Sequence, residues 1–292
     1  MLRLGLYLGA NLAILIVLSA AFRLLGIEGM LQASGVDLNL TALLIFSAVI
    51  GFAGSLISLF LSKIMAKAAM GVHVIARPRD ATERWLVETV HALADRAGIG
   101  RPEVGIFDHS SPNAFATGWN RDDALIAVST GLLRHMSRGE VEAVLGHEVS
   151  HAANGDMVTL ALIQGVVNTF VIFLSRLVGL LFDRLILRIE RGYGPGFWIV
   201  SLIMEMVLGV LAMALVMWFS RWREYRADAG GAALAGRANM IAALERLKLA
   251  QNAPPLPEEI RAFAISAGRV QALFASHPPL DARIAALHAF SR

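Results

Sequence analysis

The chain contains no cysteine. Disulfides, thiolate metal ligands and a cysteine nucleophile are therefore excluded, and a bound metal has only histidine and carboxylate to hold it. Charge is also scarce: Asp, Glu, Lys and Arg make up 17% of the 292 residues, against about a quarter in an ordinary soluble domain. With 56% hydrophobic residues the chain belongs in a membrane. Residues 4–22 and 38–62 carry no charge at all, runs of 19 and 25 residues, and about 20 helical residues cross a hydrocarbon core. Residues 157–175 give another 19 uncharged positions before Arg176, and residues 192–220 are uncharged apart from Glu205. No internal repeat or low-complexity run interrupts this pattern.

The loop over residues 26–37 lacks lysine and arginine and holds Glu28 and Asp37, whereas Lys63, Lys67, Arg77 and Arg79 come soon after the second run. The positive-inside rule places the N-terminus and everything after Lys63 in the cytoplasm. Ser19-Ala20-Ala21 imitates a signal-peptidase site, but only Arg3 precedes a long apolar run, so the first span reads as an uncleaved anchor. The basic balance gathers beside the spans, a topology and lipid signal and not a nucleic-acid one. Between the last two apolar runs, the rule meets resistance. Arg184, Arg188 and Arg191 lie where an external loop should be poor in arginine; on a helix they would share one face opposite Phe182, Leu185, Ile186 and Ile189 and could lie flat at the membrane surface. Alternatively the apolar hairpin penetrates without crossing. Glu205 and Arg176 are intramembrane charges that could pair, or Glu205 could serve a cavity.

Outside the spans, residues 73–156 and 221–292 supply 84 and 72 positions, enough for one domain with a core. A helix is predicted over 80–97, with Trp85, Leu86, Val90 and Leu93 on one face and residues 98–102 ending it. Residues 104–107 and 125–128 read as short strands flanking a third extended stretch, 113–118, so a small sheet is expected ahead of residue 137. The last segment is helical, with a proline-rich break over residues 253–257.

His147-Glu148-Val149-Ser150-His151 spells H-E-x-x-H. On a helix both imidazoles reach one ion while Glu148 sits beside the position where water would bind, the pattern of a hydrolytic zinc site. A pentapeptide of this kind arises by chance in such a chain with a probability of roughly one in a hundred, so it needs a helix and a third ligand. Ser137-Arg138-Gly139-Glu140 supplies a capping box, Val141, Val144 and Leu145 an apolar stripe, and Asn154-Gly155 a stop, which puts the motif mid-helix.

Catalytic zinc takes three protein ligands. Asp156 lies beyond the helix stop and does not suit the third place, and Glu142 points roughly 140° away from His147. Glu224 is better placed. It comes just after the fourth apolar run in Arg223-Glu224-Tyr225-Arg226-Ala227-Asp228, and Asp228 shares its helix face, so one carboxylate could ligate while the other orients an imidazole. Ligands on both sides of the hairpin require an even number of crossings between them. His277 in Ser276-His277-Pro278-Pro279, with Arg283, is the candidate for stabilising an oxyanion, although a histidine there could equally cap the next helix. Asn113, Ala114, Phe115 and Ala116 would form an edge strand that pairs with an extended peptide. His73, His91, His109, His135 and His288 read as surface or packing residues.

Gly-His-Glu-Val-Ser-His-x-x-Asn-Gly-Asp, Glu-Tyr-Arg-Ala-Asp-Ala-Gly-Gly and Ser-His-Pro-Pro-Leu-Asp-x-Arg, in that order around the apolar runs, resemble the HtpX family of bacterial membrane zinc endopeptidases, relatives of the CaaX prenyl protease. The resemblance covers essentially the whole chain. It implies a mostly α integral membrane protein with four apolar helices and a cytoplasmic α+β zincin-like (gluzincin) protease domain. It further implies one Zn²⁺ on His147, His151 and Glu224, and Glu148 as the catalytic glutamate. The implied partners are the lipid bilayer and damaged or misfolded membrane proteins, turned over under envelope stress at the bacterial inner membrane. The expected organisation is two spans over residues 1–62, a protease segment over 63–156, an apolar hairpin over 157–220 and a helical protease segment over 221–292. A scaffold with purely structural zinc, or a transporter, leaves Glu148 or the whole motif without a purpose.

Overall fold

A computed structural model describes Gly29 and residues 39–189, 192–251 and 277–289. The first expected span, residues 4–22, and the proline-rich break lie outside the described residues. The chain divides into two compact units, one from residues 1–57 and 161–216, the other from 58–160 and 217–292.

Three helices in the described residues are long and apolar enough to cross a membrane: α1 (Leu40–Met70) and two more on either side of the hairpin turn, Asp156–Leu185 and Pro195–Ala235. In the first unit their side chains divide sharply. Ile45, Phe46, Val49, Ile50, Leu202, Ile203, Met206 and Val210 remain 48 to 67% exposed, a surface that only lipid would cover. Contacts between helices use small residues: a Cβ on Gly51 would come within 2.8 Å of the Thr169 backbone nitrogen, so glycine lets the two backbones approach. The turn corrects one expectation. The helix ends at Leu185, Arg188 takes a left-handed φ of 54°, and Arg184 folds back onto the carbonyls of Ile189 and Gly192. Arg184 and Arg188 thus do not share a helical face, because Gly192, Gly194 and Pro195 close the hairpin too soon; Arg191 lies outside the described residues. Arg176 lies over the rings of Phe197 and Trp198 at 5.7 and 5.9 Å, and no ion pair with Glu205 occurs among the described residues.

The second unit is a small sheet covered by helices. Its strands are β1 (His73–Val74), β2 (Glu103–Phe107), β3 (Ala114–Asn120) and β4 (Asp123–Ser129), in the order β1-β2-β4-β3. The pair β2/β4 is parallel, with Val104 opposite Ile126, and β3/β4 is an antiparallel hairpin with Ala116 opposite Ile126. Three strands lie where the sequence predicts them; β1 is too short to leave a pattern. Helix α2 (Ala81–Ala97) starts at Asp80, whose carboxylate accepts the Glu83 N–H, and stops at Gly98 in the left-handed region. A short α3 (Thr130–His135) leads to α4 (Arg138–Asn154). Leu86, Val90 and Leu93 of α2, Ile126 and Val128 of β4, and Val141, Leu145 and Val149 of α4 form the core with Met240 and Leu244 of α7 (Arg237–Gln251), numbered after α5 (Asp156–Leu185) and α6 (Pro195–Ala235), and with Leu287 of α8 (Leu280–Ala289). Each such side chain contributes about 1.5–3 kcal/mol on burial, so the sheet and α4 are a rigid platform. The end of α1 joins it through Lys63, 2.9 Å from Glu103 and 2.6 Å from Asp123, and Lys67, 2.5 Å from Glu103.

Candidate metal centre

The motif helix forms as its sequence dictates. The Ser137 hydroxyl accepts the Glu140 N–H, Glu140 accepts the Ser137 N–H at 2.7 Å, and Gly155 ends the helix with φ 69°. His147, Glu148 and His151 fall in the middle and are buried or nearly so.

Helix α6 has 41 residues, about twice a membrane crossing, and the excess carries Glu224 and Asp228. These two and Gly231 recur at i, i+4 and i+7, one face of a helix. That face meets Gly146 and His147 of α4: a Cβ on Gly231 would stand 2.9 Å from the His147 backbone nitrogen, and one on Gly146 would stand 3.3 Å from Gly231 Cα. Two glycines in contact let the helices approach closely enough for short acidic side chains to reach the imidazoles.

Three side chains converge. His147 Nε2 and His151 Nε2 are 3.1 Å apart, Glu224 Oε2 is 3.5 Å from the former, and Glu224 Oε1 is 3.3 Å from the latter. Ligand atoms at 2.0–2.1 Å from a tetrahedral zinc are separated by roughly 3.3 Å, so the three donors fit such an ion. Among the described residues this is the group of histidine and carboxylate side chains that could hold a metal. The buried charges around the imidazoles are four carboxylates, Glu148, Asp156, Glu224 and Asp228, and two guanidiniums, Arg223 and Arg283. The excess is two negative charges, which a divalent cation cancels. Burial pushes both imidazoles toward the neutral form, but the carboxylates outweigh it: Asp228 and Glu224 raise His147, and Asp156 and Glu224 raise His151 to about 10. An environment that favours a proton on each ring also favours a cation between them.

The backs of the rings are occupied as well. Asp228 Oδ1 lies 3.0 Å from His147 Nδ1, off the line of the ring N–H. Arg283 grips Asp228 with two bonds, Nε to Oδ2 at 2.7 Å and Nη2 to Oδ1 at 2.5 Å, and its Nη1 is 3.5 Å from Glu224 Oε2. Asp156 Oδ2 lies 2.7 Å from His151 Nδ1. His277, with 60% of its side chain exposed, contacts Glu224 Oε2 at 2.5 Å through Nδ1.

The predicted residues therefore come together with two distinctions of place. His147, Glu148, His151, Glu224, Asp228, His277 and Arg283 form one cluster, in which Arg283 is only 6% exposed and faces Asp228 while His277 faces the open side. Ala114 to Ala116 lie on β3, which has β4 along one edge and ends the sheet; Asn113 precedes the strand and exchanges hydrogen bonds with Ser129. Three further contributors leave little trace in the sequence. Gly231 is visible there only as part of a Gly-Gly pair, Arg223 looks like one arginine among several, and Asp156 lies past the helix stop.

Residues 80–291 match the profile of Peptidase family M48. The chain is 63% identical to Protease HtpX of Pseudoalteromonas atlantica over 98% of its own length and 99% of the relative, and 62% identical to Protease HtpX of Nitrosococcus oceani over 98% of both. It is 59% identical to Protease HtpX of Thioalkalivibrio sulfidiphilus over the whole of both chains. The crystal structure of S. mikatae Ste24p superposes with a TM-score of 0.59 at 17% identity, over 96% of this chain and 62% of that one, which establishes a common fold.

Proposed function

The chain belongs to Peptidase family M48 and is a membrane-embedded metalloprotease, and from that premise we propose that it hydrolyses misfolded or damaged membrane proteins at the cytoplasmic face, with His147, His151 and Glu224 holding one zinc ion. The observation that carries this reading is the convergence of the three donors at 3.1–3.5 Å beside Glu148. Held by His147, His151 and Glu224, zinc would supply Lewis acidity toward the scissile carbonyl and the attacking water. Glu148 takes the proton of the attacking water and delivers it to the leaving amine, work that contributes typically about 10²- to 10⁴-fold in rate. His277, on the exposed side of Glu224, is placed to donate to the developing oxyanion. Arg283 serves from behind, holding Asp228 against His147.

Among the described residues no strand pairs with the outer edge of β3, which offers main-chain donors and acceptors to an extended peptide. Such pairing reads backbone more than side chains, which supports loose sequence preference and suits unfolded substrates. The exposed Trp198 and Trp218 of α6 are 20 residues and thus about 30 Å apart, the separation of the two interfacial aromatic belts, and this supports a full crossing. Orientation rests on Lys63, Lys67, Arg77 and Arg79, which favour an inner-membrane protein with its site in the cytoplasm.

The test is cleavage of an unfolded protein by the full chain purified in detergent, with zinc and with a chelator. Glu148→Ala should retain zinc and lose activity by a factor of at least about 10²; equal activity in the two proteins would falsify the enzymatic role of Glu148.

A further inference from the structure

Resting on the zinc reading above, we propose that Asp156 is a positioning residue of the metal centre, which sets the ring of His151 and ties it to the foot of the apolar hairpin. A metal-bound histidine needs an acceptor on its other nitrogen to hold tautomer and ring orientation. Behind His147 stands Asp228; behind His151 stands Asp156, at 2.7 Å from Nδ1 and 3% exposed.

The chain path explains how a residue past the helix stop gets there. Five residues on along an unbroken helix, a side chain would point about 140° away from His151. The left-handed turn at Gly155 breaks α4 and begins α5 with Asp156, returning its carboxylate beneath the ring. The residue is also held by its backbone. Arg223 Nη1 donates to the Asp156 carbonyl at 2.9 Å, and Nη2 donates to Ser220 at 3.1 Å. Arg223 is 7% exposed and immediately precedes Glu224. One guanidinium thereby fixes the start of α5, which carries the support of His151, relative to the turn of α6 that carries the third ligand. An acid whose only task was to complement the dipole of α5 would do so from an exposed position; this one is buried against a ligand imidazole.

The variants separate the two roles. Asp156→Asn keeps an acceptor for Nδ1, whereas Asp156→Ser keeps a good helix start but is too short to reach the ring. The readouts are zinc affinity of the full chain in detergent, by competition with a chromophoric chelator, and the visible spectrum of the cobalt-loaded protein. Asp156→Ser should weaken zinc binding by about 10- to 100-fold and alter the cobalt bands, with the metal-free melting temperature unchanged. Asp156→Asn should retain most of the affinity, and Arg223→Met should weaken it in the same direction but less. Wild-type affinity and an unaltered cobalt spectrum in Asp156→Ser overturn the assignment. So do equal losses in the serine and asparagine variants together with a lower metal-free melting temperature, which would mark a helix-initiating role alone. If wild type binds zinc no better than His147→Ala, it is the zinc reading itself that falls.

Discussion

In the unit built from residues 1–57 and 161–216, hydroxyls turn back onto their own helix: Ser47 to the Leu43 carbonyl at 2.8 Å, Ser55 to Gly51 at 3.0 Å and Thr169 to Gly165 at 2.8 Å. In the other unit, buried polar groups reach across the chain: Arg283 to Asp228, 55 residues away, Arg223 to Asp156, 67 away, and Glu224 to both histidines. Both units are helical and both use glycine to bring helices together. The difference lies in what surrounds them. Where the exposed surface is aliphatic, no water is at hand to solvate a polar group, so Ser47, Ser55 and Thr169 find an acceptor within one turn of their own helix. Where a core excludes water on one side only, charges can be assembled from distant segments, provided each finds a partner.

Breaking the two-bond grip of Arg283 on Asp228 should have the largest effect. Arg283→Met strands the Asp228 carboxylate in a buried site and is expected to cost about 3–5 kcal/mol, measured as unfolding in detergent, with a loss of zinc affinity alongside. An effect below that of an exposed arginine change would dissolve the contrast between the units. Next come the paired glycines. Gly231→Ala and Gly51→Ala each overpack a helix crossing, which costs typically about 1–3 kcal/mol; only Gly231→Ala should weaken zinc binding, because only that crossing separates Glu224 from His147. Chelator competition on the two variants decides the matter.

The smallest effect belongs to the cap of α4. Burial pushes the Glu140 carboxyl up, but the Ser137 amide and hydroxyl and the nearby Arg246 prevail and hold it below the usual carboxylate range. A depressed folded-state pKa means stability that is present above the unfolded value, about 4.3, and is lost as pH falls through the folded value. Glu140→Gln still closes the capping box and should lower the melting temperature at neutral pH by the equivalent of about 0.3–1 kcal/mol, the worth of a carboxylate at a helix N-terminus, and the gap to wild type should narrow on acidification. A gap that is constant with pH would show that the charge of Glu140 is irrelevant.

Much of this was legible in the chain because its signals are local. Ser137, Glu140 and Gly155 bracket the motif helix within one turn of each end, and short apolar runs over residues 104–107 and 125–128 mark two strands. The Arg-rich turn misled because helical spacing of Arg184 and Arg188 counts residues, whereas Gly192, Gly194 and Pro195 decide where the helix must stop. Asp156 misled for a related reason. A stop signal says that the helix ends, not where the next residue is sent.

The sequence by itself determined the membrane setting, the capped helix, the spacing of His147, Glu148 and His151 along it, and the shared face of Glu224 and Asp228, since all of these arise from periodicities of a few residues. Only the tertiary structure decided that Gly231 rests on Gly146, that Arg283 grips Asp228 while His277 faces outward, and that Asp156 returns beneath His151. Those contacts join residues up to 85 apart in the chain, Gly146 and Gly231. They depend on how closely two helices pack and on which way one glycine turns the chain, and no local pattern encodes either.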